Sequence, residues 1–204
     1  MGRTLIATLL QRGHYVKALA REGSQHKLPS GARAIIGDPM SVNAIATHVA
    51  PADTFVQLVG VAHPNPSKAA DFHAIAQTAG CAGAEAAARS GVRHFVYVSV
   101  AHPAPIMRAY IAARSEVEAH IRRLNLNATI IRPWYVLGPS RRWPILLKPL
   151  YAVLNLLPQS RAGANRLGLV AIEQMNAALV NAVEAPADGI RIIEVPQIRQ
   201  STLV

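Results

Sequence analysis

Apolar and polar positions alternate between two periods along this chain, and the changes of period mark its elements. Leu5, Ile6, Leu9 and Leu10 recur at the spacing of one helix face, and Arg12-Gly13-His14 closes that helix before an extended run over residues 15–21. A loop over 22–31 precedes a short strand at 33–36, which stops at the turn Gly37-Asp38-Pro39. Ser41 is placed to cap a helix running to Val49, and a strand follows over 55–60. An alanine-rich helix over 67–90, ended by Gly91, leads into a strand over 92–99, and a helix over 107–124 and a strand over 128–132 repeat the unit. The tail holds an apolar segment over 145–157, a helix over 171–184 and a last strand over 190–195. Strands separated by helices, in apolar runs suited to burial on both faces, predict an α/β fold with an open, doubly wound parallel sheet.

Composition narrows this picture. A chain of 204 residues, 51% of them hydrophobic, is long enough for one substantial core and argues for a single domain. Its one cysteine, Cys81, cannot form an internal disulfide and sits in an Ala/Gly-rich run as a packing residue, which points to a reducing, cytoplasmic setting. The N-terminus lacks the basic, apolar and small-residue succession of a secretory signal. The longest apolar segment, 144–158, is interrupted by Lys148 and Asn155 and falls short of the roughly 20 residues a bilayer span needs. A formal charge of +10 favours anionic partners, but the basic residues are scattered singly or in pairs such as Arg122-Arg123 and Arg141-Arg142. Without interleaved aromatics they do not form a stacking surface, and no nucleic-acid partner is expected. No H-E-x-x-H, P-loop or G-x-S-x-G is present, and the eight histidines lack metal-ligand spacing, so hydrolase and metalloenzyme chemistry have no motif and no metal is expected.

The most informative stretch joins three pieces. Val-Arg-His-Phe-Val-Tyr-Val-Ser runs from Val92 to Ser99, Tyr110-Ile-Ala-Ala-Arg114 opens a helix, and Ala-Thr-Ile-Ile-Arg-Pro-Trp-Tyr-Val-Leu-Gly-Pro runs from Ala128 to Pro139. That order resembles the extended and atypical short-chain dehydrogenase/reductase proteins, the epimerase-like and NmrA-like NAD(P)-binding group. The resemblance covers nearly the whole chain and implies a Rossmann-like region over 1–139, followed by a lid helix, a helix and a last strand over 140–204 within the same domain. It implies a dinucleotide cofactor and a small-molecule substrate.

By the same resemblance Ser99 and Tyr110 are the hydroxyl donor and the tyrosine acid/base, and Arg114 stands where the family has lysine. Residues i and i+4 share a helix face, so Arg114 can set a positive charge beside Tyr110. A guanidinium does not join a proton relay as an ammonium does, which keeps a non-catalytic dinucleotide-binding regulator or assembly subunit open beside an oxidoreductase or epimerase-like enzyme. Arg21 ends a strand where an acid would accept the ribose hydroxyls of NAD and a base the 2′-phosphate of NADP, so NADP(H) is favoured and NAD(H) stays open. Arg3 could assist. Asp38 matches an acid beside the adenine, or is simply a turn residue before Pro39. Val59 and Gly60 would bring backbone close to the ribose, His63 could line a pocket, and Pro133 would approach the nicotinamide. Trp134 and Tyr135 wall a substrate pocket or only pack.

The front of the chain departs from the family pattern. Gly2-Arg3-Thr4-Leu5 matches the start of the family's first helix, with Gly2 as the last of three glycines. The strand and the two earlier glycines would then lie upstream of Met1. Their loss leaves buried backbone unpaired in mid-sheet, so a start assigned too far downstream is preferred to a fragment or to two halves that close the gap. In the tail, Leu146, Leu147, Leu150, Tyr151, Leu154 and Leu157 recur at helical spacing. They read as a core or lid helix, or, with Arg141, Arg142, Lys148, Arg161 and Arg166 as a basic rim, as a peripheral membrane contact or a mouth for a lipid-like substrate.

Overall fold

The computed structural model describes residues 1–61, 65–138 and 166–203. The sequence readings of His63, Pro139 and the segment 144–158, with Arg141, Arg142, Lys148 and Arg161, lie outside the described residues. In chain order the strands are β1 (Lys17–Ala20), β2 (Arg33–Ile36), β3 (Thr54–Gln57), β4 (His94–Val98), β5 (Ala128–Arg132), β6 (Tyr135–Leu137), β7 (Leu169–Ala171) and β8 (Ile190–Glu194). The helices are α1 (Gly2–Gln11), α2 (Val42–Val49), α3 (Ala69–Asp71), α4 (Thr78–Arg89), α5 (Arg108–Arg123), α6 (Ile172–Glu184) and α7 (Val195–Gln200).

Every strand pair is parallel, as the sequence pattern predicts. The strands nevertheless form three sheets, β3-β4-β5-β8, β1-β2 and β6-β7. β4 shows why the main sheet is wound on both sides. Val96 and Val98 pack with Leu5 and Leu9 of α1, Met175 and Leu179 of α6, and Ile198 of α7. Their neighbours Phe95 and Tyr97 point the other way, onto Ile45 of α2, Ala86 of α4, and Val117 and Ile121 of α5. Alternation along a strand thus feeds two cores, each closed by its own helices. Helices α4 and α5 approach closely at Gly80, where a Cβ would stand 2.7 Å from Val117.

Three elements differ from the sequence reading. The long helix expected over 67–90 passes through a 3₁₀ turn and α3, then widens to π geometry over Phe72–Gln77 before α4. The last strand stops at Glu194, because Pro196 sits in the first turn of α7, where its missing N–H costs nothing. The short pair β6-β7 has no strong periodic signal in three-residue strands.

The separation of β1-β2 from the main sheet has a consequence for the backbone. His94 N–H donates to Asp53 O at 3.1 Å, so Asp53, Phe55 and Gln57 face β4 while Thr54, Val56 and Leu58 face away. Arg33 N–H donates to Val16 O at 2.9 Å, so Lys17 and Leu19 face away from β2. Among the described residues β1 pairs only with β2 and β3 only with β4, so the two halves are not joined by a direct ladder. Side chains join them instead. Val16, Val56 and Leu58 pack against the cluster that holds Leu5 and Leu9. Lys17 Nζ lies 3.1 Å from His48 O and 2.9 Å from Ala50 O, at the end of α2.

Amide hydrogen exchange checks this arrangement. The N–H groups of Leu19, Thr54 and Val56 should exchange at least about a hundredfold faster than those of Phe95 and Val96, which lie within paired ladders. Equal protection on both sides would show that β1 and β3 are paired.

Candidate active site

Helix α5 carries three polar residues at intervals of four, Tyr110, Arg114 and Glu118, so all three lie on one face. That face turns toward the carboxyl ends of β3, β4 and β5, the edge of a parallel sheet where ligands bind. The three residues build two adjoining clusters there.

The first surrounds Arg114, which is 5% exposed. Its Nη1 donates to Tyr97 Oη at 3.2 Å, to Val98 O at 3.2 Å and to Val59 O at 3.5 Å, so one side chain ties the ends of β3 and β4 together. The guanidinium also lies 5.6 Å from the ring centre of Tyr97 and 5.3 Å from that of Tyr110. Gly60 makes this possible, since a Cβ there would stand 2.2 Å from Arg114 Nη2. Burial acts to lower the Arg114 pKa, but the Tyr97 and Tyr110 hydroxyls outweigh it, and the guanidinium stays charged. Burial pushes Tyr97 up to about 12 despite that cation, so its hydroxyl keeps its proton at neutral pH. The Tyr110 ring is half-buried and packs on Phe72 of the π segment at 4.9 Å.

The second cluster surrounds the buried Glu118. Arg132 grips its carboxylate with Nε at 3.0 Å and Nη2 at 2.5 Å, and Ser99 Oγ donates to Oε1 at 2.6 Å. Arg122 lies 3.5 Å away on the same helix, and His102 Nε2 stands 3.8 Å from Oε1. Burial alone would raise the Glu118 pKa; the hydrogen bonds from Arg132 and Ser99 outweigh it and hold the carboxyl below its ordinary value. Two backbone bonds continue the β4-β5 register past the strand ends, Ser99 N to Ile131 O at 2.8 Å and Ala101 N to Pro133 O at 2.9 Å. They run the backbone up to Ala101 alongside Ile131 to Pro133, with His102 next in the chain.

A sequence profile described as NAD(P)H-binding matches residues 1–143. The chain belongs to this NAD(P)H-binding family. Solved structures of similar fold include WbmH of Bordetella bronchiseptica in complex with NAD+, with a TM-score of 0.67 at 17% identity over 94% of this chain and 71% of that one. MoeE5 in complex with UDP-glucose and NAD gives 0.71 at 17% identity, over 97% of this chain and 75% of that one. A short-chain dehydrogenase/reductase superfamily protein from Agrobacterium tumefaciens with bound NAD gives 0.67 at 16% identity, over 95% and 74%. A ceramide reductase of Caulobacter vibrioides is 25% identical over 202 residues, 98% of this chain. The chain spans 62% of that relative's length.

Against this NAD(P)H-binding frame the residues singled out in the sequence fall into two groups. Gly2, Arg3, Arg21 and Asp38 lie where α1 begins and where β1 and β2 end. Gly2 sits against Leu58, Arg3 and Arg21 are exposed, and Asp38 Oδ1 accepts from Met40 N at 2.9 Å as a turn residue does. The start of α1 has no side-chain cap, which leaves its first amides available to an anion. Val59, Gly60, Ser99, Tyr110, Arg114 and Pro133 lie at the ends of the central strands, with Trp134 and Tyr135 stacked edge to face at 5.6 Å beside them. The residues present fit a dinucleotide laid across this edge, and Arg114 fills the space at Gly60.

Ser99 and Tyr110 are not brought into contact. The Ser99 hydroxyl is turned to Glu118, about 12 Å along α5 from Tyr110, at 1.5 Å per residue over two turns. The sequence reading missed Glu118, Tyr97 and His102. For Glu118 the signal was present, as the next member of the Tyr110, Arg114 spacing on the same face.

Two variants probe these clusters. Gly60→Ala displaces Arg114 and should lower stability by about 1–3 kcal/mol in denaturant melts, while in an Arg114→Met background the same change should be nearly neutral. Glu118→Gln should cost about 3 kcal/mol at neutral pH, because Arg132 loses its two-bonded, buried partner and keeps only Glu194 at 3.3 Å. The folded-state pKa of Glu118 is depressed, so its contribution is present above the unfolded carboxylate pKa and fades as pH falls through the folded one. The gap between wild type and Glu118→Gln should therefore close on acidification in parallel thermal melts.

Proposed function

We propose that the protein is an NAD(P)(H)-dependent oxidoreductase of epimerase-like type, preferring NADP(H), that acts on a small or apolar carbonyl or alcohol compound. The observation that carries this reading is the fixed cation of Arg114 between the Tyr97 and Tyr110 rings at the ends of β3 and β4, with Tyr110 half-buried beside it. The bound dinucleotide would supply or accept the hydride. The first amides of α1, with Gly2 and Arg3, would hold its phosphates, and the exposed Arg21 a 2′-phosphate. Asp38 would stand near the adenine and the Val59-Gly60 backbone near the second ribose. Pro133 would bound the nicotinamide position, and Trp134 and Tyr135 the substrate. Tyr110 would present its hydroxyl to the substrate oxygen, Arg114 would stabilise negative charge that develops there, and Ser99 would bind the oxygen only by turning from Glu118. The ceramide reductase likeness supports an apolar substrate.

A second reading has an observation of its own. Arg114 and Ser99 are buried and already bonded within the protein. That suits a dinucleotide-binding regulator or assembly subunit, in which the Tyr110 face is structural.

Titration with NADPH and NADH, followed by nucleotide fluorescence and thermal shift, tests the cofactor claim. NADPH should bind more tightly, and Arg21→Asp should weaken it at least about tenfold while sparing NADH. Equal affinity for both nucleotides in the wild type removes the preference. Tyr110→Phe should lower turnover by about a hundredfold or more; tight NADPH binding with no turnover on any carbonyl favours the regulator.

A further inference from the structure

We propose that His102 is a further catalytic residue of this site, an acid/base group that Glu118 orients and that meets the substrate oxygen in the role the buried Ser99 hydroxyl does not fill. This rests on the oxidoreductase reading above. Ser99 is 2% exposed, and its one proton is given to a carboxylate that, gripped by Arg132, can only accept. The next side chain along the loop with titratable chemistry is His102, three residues on. Its side chain is 25% exposed, so it reaches both the interior and the open edge of the sheet. The inner nitrogen, Nε2, is buried and has no hydrogen-bond partner, and Glu118 Oε1 stands 3.8 Å from it. That distance is too long for a hydrogen bond, and Oε1 already accepts from Ser99 and Arg132. The negative charge on this side of the ring nevertheless favours the tautomer with the proton on Nε2, which leaves Nδ1 as the acceptor nitrogen. A carboxylate that fixes the tautomer of an imidazole, whose other nitrogen works on a substrate, is the logic of an oriented acid/base pair.

The charged groups around His102 are Glu118 and Arg122 from α5, Arg132 from β5 and, through Arg132, Glu194 at the end of β8. Of these Glu118 lies nearest, with Oε1 3.8 Å from His102 Nε2. Arg114 adds a reason for a second group. It holds charge but releases no proton at neutral pH, so it cannot reload Tyr110 as an ammonium would. In the reducing direction a bound reduced dinucleotide would supply the hydride to the carbonyl carbon. The carbonyl oxygen would take the proton from Nδ1 of the imidazolium while Tyr110 keeps its own and hydrogen-bonds that oxygen, and the neutral His102 would be recharged from solvent. The products are the alcohol and the oxidised dinucleotide. The backbone bond from Ala101 N to Pro133 O holds the residue before His102 at the end of the site where Pro133 stands.

The test uses the full chain labelled with ¹⁵N-histidine, with His102→Gln to assign the signal. Long-range ¹H–¹⁵N spectra between about pH 5 and 9 report which nitrogen carries the proton and where the second one binds. Neutral His102 should be protonated at Nε2, and Glu118→Gln should raise the share of the Nδ1–H form, since the carboxylate beside Nε2 is lost. With NADPH and cyclohexanone as the probe pair, His102→Gln should lower kcat by about a hundredfold. It should leave the KM for NADPH unchanged and abolish the fall in kcat as pH rises through the measured His102 titration. A proton on Nδ1, a tautomer indifferent to Glu118→Gln, or a wild-type kcat in His102→Gln each overturns the proposal; so does a wild type that binds NADPH but reduces no cyclohexanone. Should Glu118→Gln fail to fold, the pH profile of His102→Gln decides alone. Failure of both nucleotides to bind would instead remove the oxidoreductase reading, and the histidine spectra, recorded without nucleotide, would still show whether Glu118 orients His102.

Discussion

A carboxylate taken out of water costs several kcal/mol unless something nearby answers its charge, and Glu118 lies at 1% exposure in the middle of this domain. Its answer comes from three directions. Arg132 reaches it from β5 with two bonds, Ser99 from the end of β4 with one, and α5 supplies the backbone that carries it. Arg132 then extends the connection to Glu194 on β8 at 3.3 Å. One buried charge therefore fixes the axial position of α5 against three neighbouring strands. Apolar packing of Val117 and Ile121 supplies the bulk of the attraction but tolerates sliding, because dispersion and burial have little direction. The ion pair does not tolerate it. Since Tyr110 and Arg114 lie on the same helix, the carboxylate also sets where they stand relative to the strand ends.

Arg114 depends on that placement. Its fork reaches carbonyls on two strands and a phenol on one of them, and it does so through the space at Gly60. A shorter or differently aimed cation would leave Val98 O and Tyr97 Oη without this partner. The two clusters are thus coupled through the helix: Glu118 sets the register, and Arg114 uses it to clamp β3 to β4. The clamp matters more here than in a continuous sheet, because among the described residues β3 has a ladder on one side only.

Much of this was legible in the sequence, and the parts that were not share a cause. The alternation of helices and strands, the parallel sense, and the 110 to 114 spacing follow from local periodicity, which survives in any context. Glu118 acquires its meaning only from Arg132 and Ser99, which lie 14 and 19 residues away and come from other elements. The same holds for Gly60, which reads as turn punctuation until Arg114 is seen to occupy its missing side chain. The π turn at Phe72–Gln77 has no residue that announces it, and it brings Phe72 against Tyr110. α7 is the opposite case, for Pro196 one residue past the strand was a readable helix start. The run of β-branched residues before it hid the signal.

The exchange of lysine for arginine at position 114 also divides two duties that one ammonium combines. A guanidinium keeps its charge at any pH the fold survives, and here it is enclosed by Gly60, Tyr97 and Tyr110 so that it cannot swing away. The positive charge is then constant in sign and place, which favours negative charge developing on an oxygen near Tyr110 and contributes nothing to proton supply. On the oxidoreductase reading proposed above, a site with this cation needs its proton from another group. Tyr97 is unsuited, since burial holds it near 12. Glu118 is unsuited as well, since Arg132 holds it ionised. On that reading the imidazole of His102, beside Glu118, is the group we propose for the proton, with Tyr110 binding the same oxygen.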